Sequence, residues 1–352
     1  MSKVNTYEAL SQAFNDMKQQ ESLYQPSTFW AKASLNIAQA VQQHGMDNFR
    51  ALPEALGFFV PTFGVPGNSF TAEMQQTILD SFIQQYPEAI KAQKSLELCL
   101  NGYQAALADY RVFVAANDTD TLPAIHLFSE SDYGKPIEQF EFDNKMYSRS
   151  SLNYLLGLTL LKQYIDIEIK TVLEIGGGFG SLGEILAKSN IDQLRYIDID
   201  IPPTSCIAES YLREAVPAEQ ITGYMDTKNL TTIDINQLSS LSVLTSWQLP
   251  KVIGQVDLFV NFISFQEMEP HIVQNYLNHV DRLQTKWILL RNIKEGKQVK
   301  LNPEDLGVEQ PILTDDYIDM LPNYQLVTRQ VLPFGFKTVD NFHSELLLFK
   351  RK

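Results

Sequence analysis

Cysteine is nearly missing from this chain: Cys99 and Cys206 are the only two in 352 residues. Two cysteines so far apart make neither a disulfide framework nor a zinc site, and they point to a reducing compartment. Positive charge is also scarce, with 28 Lys and Arg against 42 Asp and Glu, a net charge of −14. So acidic a surface argues against nucleic acid or an anionic membrane as the main partner. No apolar run reaches membrane-spanning length. The opening residues, Met-Ser-Lys-Val-Asn-Thr-Tyr-Glu, carry no apolar signal core. The expectation is a cytoplasmic protein with no membrane insertion and no nucleic-acid partner. No His/Asp/Glu spacing reads as a metal site, so none is expected.

What is present is an ordinary globular composition, 44% hydrophobic, long enough for two domains and a large core. One stretch stands out: Thr171-Val-Leu-Glu-Ile-Gly-Gly-Gly-Phe-Gly180, followed by Ser-Leu-Gly-Glu-Ile-Leu-Ala-Lys. Val172, Leu173 and Ile175 read as a short buried strand, and Leu182, Ile185 and Leu186 recur at helical spacing. Between them Gly176, Gly177, Gly178 and Gly180 form a turn where backbone can come close to a ligand. The following helix would point free N–H groups at whatever lies over the turn.

Two cofactor classes use such a turn. Gly178-Phe-Gly180-Ser-Leu-Gly183 is a G-x-G-x-x-G, with Asp198 near the distance of a ribose-binding acid in a dinucleotide fold. The other pattern is Glu174-x-Gly176-x-Gly178-x-Gly180, with an acid two residues before the first glycine. It resembles the first motif of class I S-adenosylmethionine-dependent methyltransferases. That resemblance implies that Glu174 helps orient the cofactor's methionine end while the glycines pass beneath it. A diphosphate is anionic and has no use for an acid there, whereas a sulfonium and an amino group tolerate one, so charge favours S-adenosyl-L-methionine.

Elsewhere, residues 1 to about 115 read as helical, with Val4, Tyr7, Leu10 and Phe14 on one face and a loop over Phe58–Phe70. Long helical patterns cover Ala72–Gln85 and Pro87–Ala116, and a polar link runs from Asn117 to Asn144. A helix from about Ser148 to Tyr164 leads into the glycine turn, with Tyr147 and Arg149 at its start. Leu194–Asp200 reads as a second strand ending in acids before Pro202-Pro203. Asp200, and Asp198 with the same facing, are the candidates for bidentate binding of ribose hydroxyls. Gln220–Asp226 reads as a third strand and its exit. In the methyltransferase fold that exit lies beside the adenine, which makes Met225 and Asp226 candidate contacts. A fourth buried strand spans Val256 to Ile263 and emerges at Asn261–Met268, where polar residues cluster. Ligands bind beyond the carboxyl ends of parallel strands, so Asn261 joins the cofactor candidates. Lys286–Arg291, Tyr324–Leu332 and Glu345–Phe349 complete seven strands.

Phe29-Trp30, Asn48-Phe49-Arg50, Glu174–Gly180, Asp200-Ile-Pro-Pro-Thr204 and Ser264-Phe-Gln-Glu-Met268 together resemble the sugar O-methyltransferase family of bacterial glycan gene sets. The resemblance implies an α/β fold: a Rossmann-like seven-stranded methyltransferase sheet over residues 146–352, with a helical N-terminal domain over 1–145. That domain would cover the pocket, contact substrate or form a homo-oligomer surface. The implied reaction is in-line methyl transfer to a sugar or glycan hydroxyl. Another small-molecule hydroxyl or amine, or cofactor binding without catalysis, are the other readings. A hydroxyl needs a base to lose its proton. The candidates are Glu267 at the strand exit, His271 on the next helix and His343 before the last strand.

Overall fold

The computed structural model describes residues 6–59, 72–217, 219–302, 305, 307–338 and 341–352. Val4 and most of the loop expected over Phe58–Phe70 lie outside them; Phe58 and Phe59 themselves end a helix. The helices in chain order are α1 Thr6–Met17, α2 Trp30–His44, α3 Pro53–Phe59, α4 Ala72–Gln85, α5 Ile90–Leu100 and α6 Tyr103–Ala116. They continue as α7 Arg149–Lys162, α8 Ser181–Ala187, α9 Thr204–Ala215, α10 Tyr224–Thr227, α11 Pro270–Arg282 and α12 Thr314–Met320. The strands begin with β1 Phe140–Phe142, β2 Lys145–Tyr147, β3 Thr171–Ile175, β4 Arg195–Asp200, β5 Ile221–Thr222 and β6 Ile233–Asp234. They continue with β7 Leu241–Thr245, β8 Val252–Ile253, β9 Leu258–Phe262, β10 Trp287–Ile293, β11 Tyr324–Gln330, β12 Phe336–Lys337 and β13 His343–Arg351.

The central sheet runs β11-β13-β10-β9-β3-β4-β7-β5. It is parallel from β10 to β5, and β13 enters antiparallel between β10 and β11. This is the Rossmann-like sheet expected above, with its strand order reversing between β3 and β9. In such sheets the ligand crevice opens at that reversal, beyond the strands' carboxyl ends.

Alternation along the strands builds two apolar layers. Val172, Tyr196, Leu258, Val260 and Leu289 face one layer; Leu173, Ile197, Ile199, Phe259 and Ile288 face the other. Full burial of each such aliphatic side chain stabilises by about 1.5–3 kcal/mol. The N-terminal helices join both layers. Ile37, Val41, Phe49 and Phe113 belong to the same layer as α7, while Leu10, Ala13 and Met17 belong to the other, where α1 lies against α9 and α10. The core therefore runs unbroken across residue 145.

Three local expectations are corrected. The helical pattern over Pro87–Ala116 is cut into α5 and α6 at Gly102, which adopts φ +86°. The polar link to Asn144 contains strand β1, which pairs antiparallel with β2 just beyond it. The third full strand is β7, not Gln220–Asp226, of which only Ile221 and Thr222 pair at the sheet edge. β7 is buried at all five positions, and in Leu-Ser-Val-Leu-Thr the serine and threonine break the apolar run that would mark such a strand.

Candidate cofactor and acceptor cleft

A cavity of about 130 Å³ lies at the carboxyl ends of β3, β4 and β9. Its floor is the glycine turn. Gly176, Gly178 and Gly180 all adopt positive φ, at +73°, +64° and +92°. At Gly176 a Cβ would stand 2.1 Å from Ser264 Oγ. At Gly177 it would stand 2.6 Å from Asp198 Oδ1 and 2.8 Å from Glu174 Oε2. These contacts explain glycine at 176 and 177, and positive φ explains it at 178 and 180.

The N–H groups of this turn are already engaged. Gly177 N–H donates to Asp198 Oδ1 at 3.2 Å and Gly178 N–H to Asp200 Oδ2 at 3.3 Å. Gly176 N–H donates to Ile199 O at 2.9 Å and Gly180 N–H to Gly177 O at 3.2 Å. Asp200 also accepts the Ile201 N–H at 2.7 Å and lines the cleft. Burial in the cleft raises its carboxyl to about 8, against these N–H bonds. Asp198 is 0% exposed, lies beneath the turn rather than on the cleft, and is pushed well above the usual range by desolvation and by Asp200.

Glu174 also sits behind the cleft wall, 0% exposed. Tyr154 Oη donates to its Oε1 at 2.7 Å and Tyr196 Oη to its Oε2 at 2.5 Å. Tyr154, not Glu174, is the face the cleft sees, its ring stacked on Phe262 at 4.9 Å. Desolvation raises the Glu174 carboxyl from 4.5 to about 7 in spite of the two phenols. The native state thus keeps a proton that the unfolded chain has released. The stability this contributes is complete below about pH 4.5 and is lost as pH rises through about 7. Glu174→Gln, an isostere of the protonated acid, should match the parent at about pH 4 and be more stable by up to about 3 kcal/mol at about pH 8. Urea unfolding of both chains at the two pH values checks this; a constant difference between them would mean that Glu174 is ionised throughout.

The other expected contacts fall into place differently. Asn261 is completely buried and ties β9 to β3, donating to Ile175 O at 2.8 Å and to Ser264 Oγ at 2.6 Å. Ser264 is the residue of that pair that reaches the cleft. Met225 and Asp226 are off the cleft, because the strand expected to carry them is only an edge fragment. Met225 packs on the core and Asp226 accepts the Gly223 N–H at 2.9 Å. Ser246, just past β7, lines the cleft in their place. Tyr147 is buried among aromatic rings, and Arg149 pairs with Asp109 at 2.9 Å; neither lines the cleft.

Of the three acid–base candidates only Glu267 faces the cleft. It is 8% exposed, accepts the Trp30 indole N–H at 3.0 Å on Oε2, and pairs with Lys297 at 3.0 Å through Oε1. His271 is exposed at the start of α11, whose buried face is formed by Ile272, Val273, Tyr276, Leu277 and Val280. His343 is bonded to Glu295 at the sheet's antiparallel side. Both histidines are thereby withdrawn from the cleft by their positions in the fold.

Sequence reasoning missed the wall opposite the glycine turn. Phe29, Trp30 and Phe58 form an aromatic cluster with ring centroids 5.0–6.2 Å apart, and Lys297 stands 4.6 Å from the Phe29 centroid. Phe29 and Trp30 were noted only as part of a family pattern, and Lys297 lies in an irregular segment after β10. Among the described residues, no cluster of His, Cys, Asp or Glu has the arrangement to hold a metal, and no helix is long and apolar enough to cross a membrane.

No known protein family's profile matches the chain, and no curated protein does. Solved structures do. The pyocyanin biosynthetic protein PhzM shares 11% identity over 58% of this chain and 57% of its own, at a TM-score of 0.38. Magnesium protoporphyrin IX methyltransferase from Synechocystis PCC 6803, with bound SAM, shares 12% over 70% and 97%, at 0.38. The O-methyltransferase TomG from Streptomyces achromogenes, in complex with SAM, shares 14% over 58% and 81%, at 0.36. These likenesses are too remote to assign an activity. This chain spans little more than half the length of PhzM.

Proposed function

We propose that the chain is an S-adenosyl-L-methionine-dependent O-methyltransferase acting on a hydroxyl of a sugar or glycan precursor. The observation that carries the cofactor is the glycine turn itself. A dinucleotide site offers the turn's N–H groups to a diphosphate. Here all four glycine N–H groups of the turn are bonded within the protein, two of them to Asp198 and Asp200. Three carboxylates are packed around it, and the only basic side chain among the cleft's described lining residues, Lys297, is paired with Glu267. Such a site offers a diphosphate neither free N–H groups nor an unpaired cation, whereas a sulfonium with its ammonium group would draw the raised carboxyls back toward their charged forms.

On this reading the donor lies across the ends of β3 and β4, with its methyl toward Ser264 and Glu267. Asp200 has acceptor lone pairs left for ribose hydroxyls. The chain's own part in the transfer is to hold an acceptor oxygen about 3 Å from the methyl carbon, in line with the bond that breaks. Trp30 and Lys297 fix the Glu267 carboxylate, so that it can accept the acceptor's hydroxyl hydrogen in one orientation. The aromatic cluster beside it supplies flat apolar faces of the kind that sugar C–H faces pack on, which supports the sugar reading along with the family resemblance. Calorimetric titration with S-adenosylmethionine and separately with NAD is the deciding measurement. Binding of the first and not the second is expected; NAD binding alone would overturn the proposal.

A further inference from the structure

Buried hydroxyls without a hydrogen-bond partner are rare in folded proteins, because each loses its bond to water and gains nothing. Among the described residues, the side chains lining the cleft include just two with such an orphan: Ser181 and Thr204. Ser181 is 1% exposed and Thr204 2% exposed. Ser181 opens α8 directly after the glycine turn of β3, and Thr204 opens α9 four residues after Asp200 of β4. Both therefore stand at carboxyl ends of neighbouring strands, one on each side of the proposed donor. The other buried orphans, such as Ser205 and Tyr317, do not line this cavity.

We infer that these two hydroxyls are donor-binding groups that divide the ligand between them, an inference that rests on the cofactor reading above. Thr204 lies on the β4 side with Asp200. Asp200 already holds the Gly178 and Ile201 N–H groups and meets the ribose hydroxyls as an acceptor once ionised, so a ribose oxygen then needs a donor, and the Thr204 Oγ–H supplies it. Ser181 lies on the β3 side, where the amino-acid end falls. Its carboxylate needs donors, and the Ser181 Oγ–H is one. Thr204 thus reads the nucleoside and Ser181 the amino acid.

The test is calorimetric titration of the full chain with adenosine and with S-adenosylhomocysteine. Thr204→Val should weaken both ligands by the same factor, about three- to tenfold, the range for one neutral hydrogen bond. Ser181→Ala should weaken S-adenosylhomocysteine about tenfold or more, as for a bond to a charged group, and leave adenosine unchanged. Thr204→Ser, which keeps the hydroxyl, should bind like the parent. Without ligand Thr204→Val should melt no lower than the parent, since it removes an orphan and little volume; Thr204→Ala is the second hydroxyl-free variant should valine disturb the fold. Unchanged affinities in Thr204→Val and Thr204→Ala, or equal loss of adenosine in Ser181→Ala, would overturn the assignment. A parent chain that binds adenosine but not S-adenosylhomocysteine would sink the sulfonium-donor reading and the Ser181 half, and the Thr204 series would still decide the nucleoside half. A parent that binds neither ligand would refute both.

Discussion

Glu267→Gln should lower methyl transfer by about a hundred- to ten-thousand-fold, the range in which a positioned acid–base group contributes, while donor affinity stays as in the parent. The reason is geometric. Glu267 is the one acid–base candidate on the cleft, and its two oxygens are held by Trp30 and Lys297. A glutamine can still accept the indole N–H, but its amide group cannot pair with the ammonium, and it cannot take the acceptor's proton. His271→Gln and His343→Gln should keep parental rates, because neither ring reaches the cleft. Transfer of labelled methyl from the donor to a panel of sugar acceptors, at saturating donor, reads all three. An undiminished rate in Glu267→Gln would remove it from the chemistry and leave the acceptor's deprotonation to solvent.

The second large effect is expected at Gly176. An alanine there meets two penalties together. Its backbone must hold φ +73°, and its Cβ must lie 2.1 Å from Ser264 Oγ and 2.5 Å from Ser264 Cβ. Left-handed backbone at a non-glycine residue costs about 1–3 kcal/mol, and forcing an extra carbon into a packed site about the same. Ser264 cannot swing away without loss, since its Oγ accepts from Asn261 at 2.6 Å and donates to Ile175 O at 3.2 Å. Gly176→Ala should therefore lose about 2–5 kcal/mol of stability and pry β9 from β3 where the donor methyl would sit, abolishing donor binding. Gly178→Ala is the control. Its φ is +64°, but the nearest atom to the new Cβ is Phe59 Cδ1 at 3.8 Å, so only the backbone penalty applies. Denaturant unfolding and calorimetry on the two variants separate the effects. Equal losses at both positions would mean that the contact with Ser264 does not matter.

Most of the sheet could be read in advance because its strands are short, apolar and bounded by acids, prolines or glycines. Thr171–Ile175, Leu194–Asp200 and Lys286–Arg291 all appear within a residue or two of their observed limits. β7 escaped because its serine and threonine interrupt the continuous apolar run that marked the equally buried β9 and β10. Its omission put the expected cleft contacts at Met225 and Asp226, where Ser246 lines the cavity instead. The acids show the same division. Glu174, Asp198 and Asp200 stand out in the sequence by spacing, yet spacing cannot say which of them a ligand would meet. Only Asp200 lines the cleft; Asp198 is under the turn and Glu174 is behind Tyr154.

The sequence by itself determined the glycine turn, the acids around it and the sheet that carries them, since these follow from local backbone freedom and hydrophobic period. Tertiary structure alone decided which side chains face the cavity. Trp30, Glu267 and Lys297 come from three segments far apart in the chain, and they meet only because the N-terminal helices pack on the same core as the sheet. Burial likewise set the charge states: the Glu174 carboxyl rises to about 7 because no water reaches it. No pattern of neighbours along the chain encodes that, because desolvation depends on everything folded around the group.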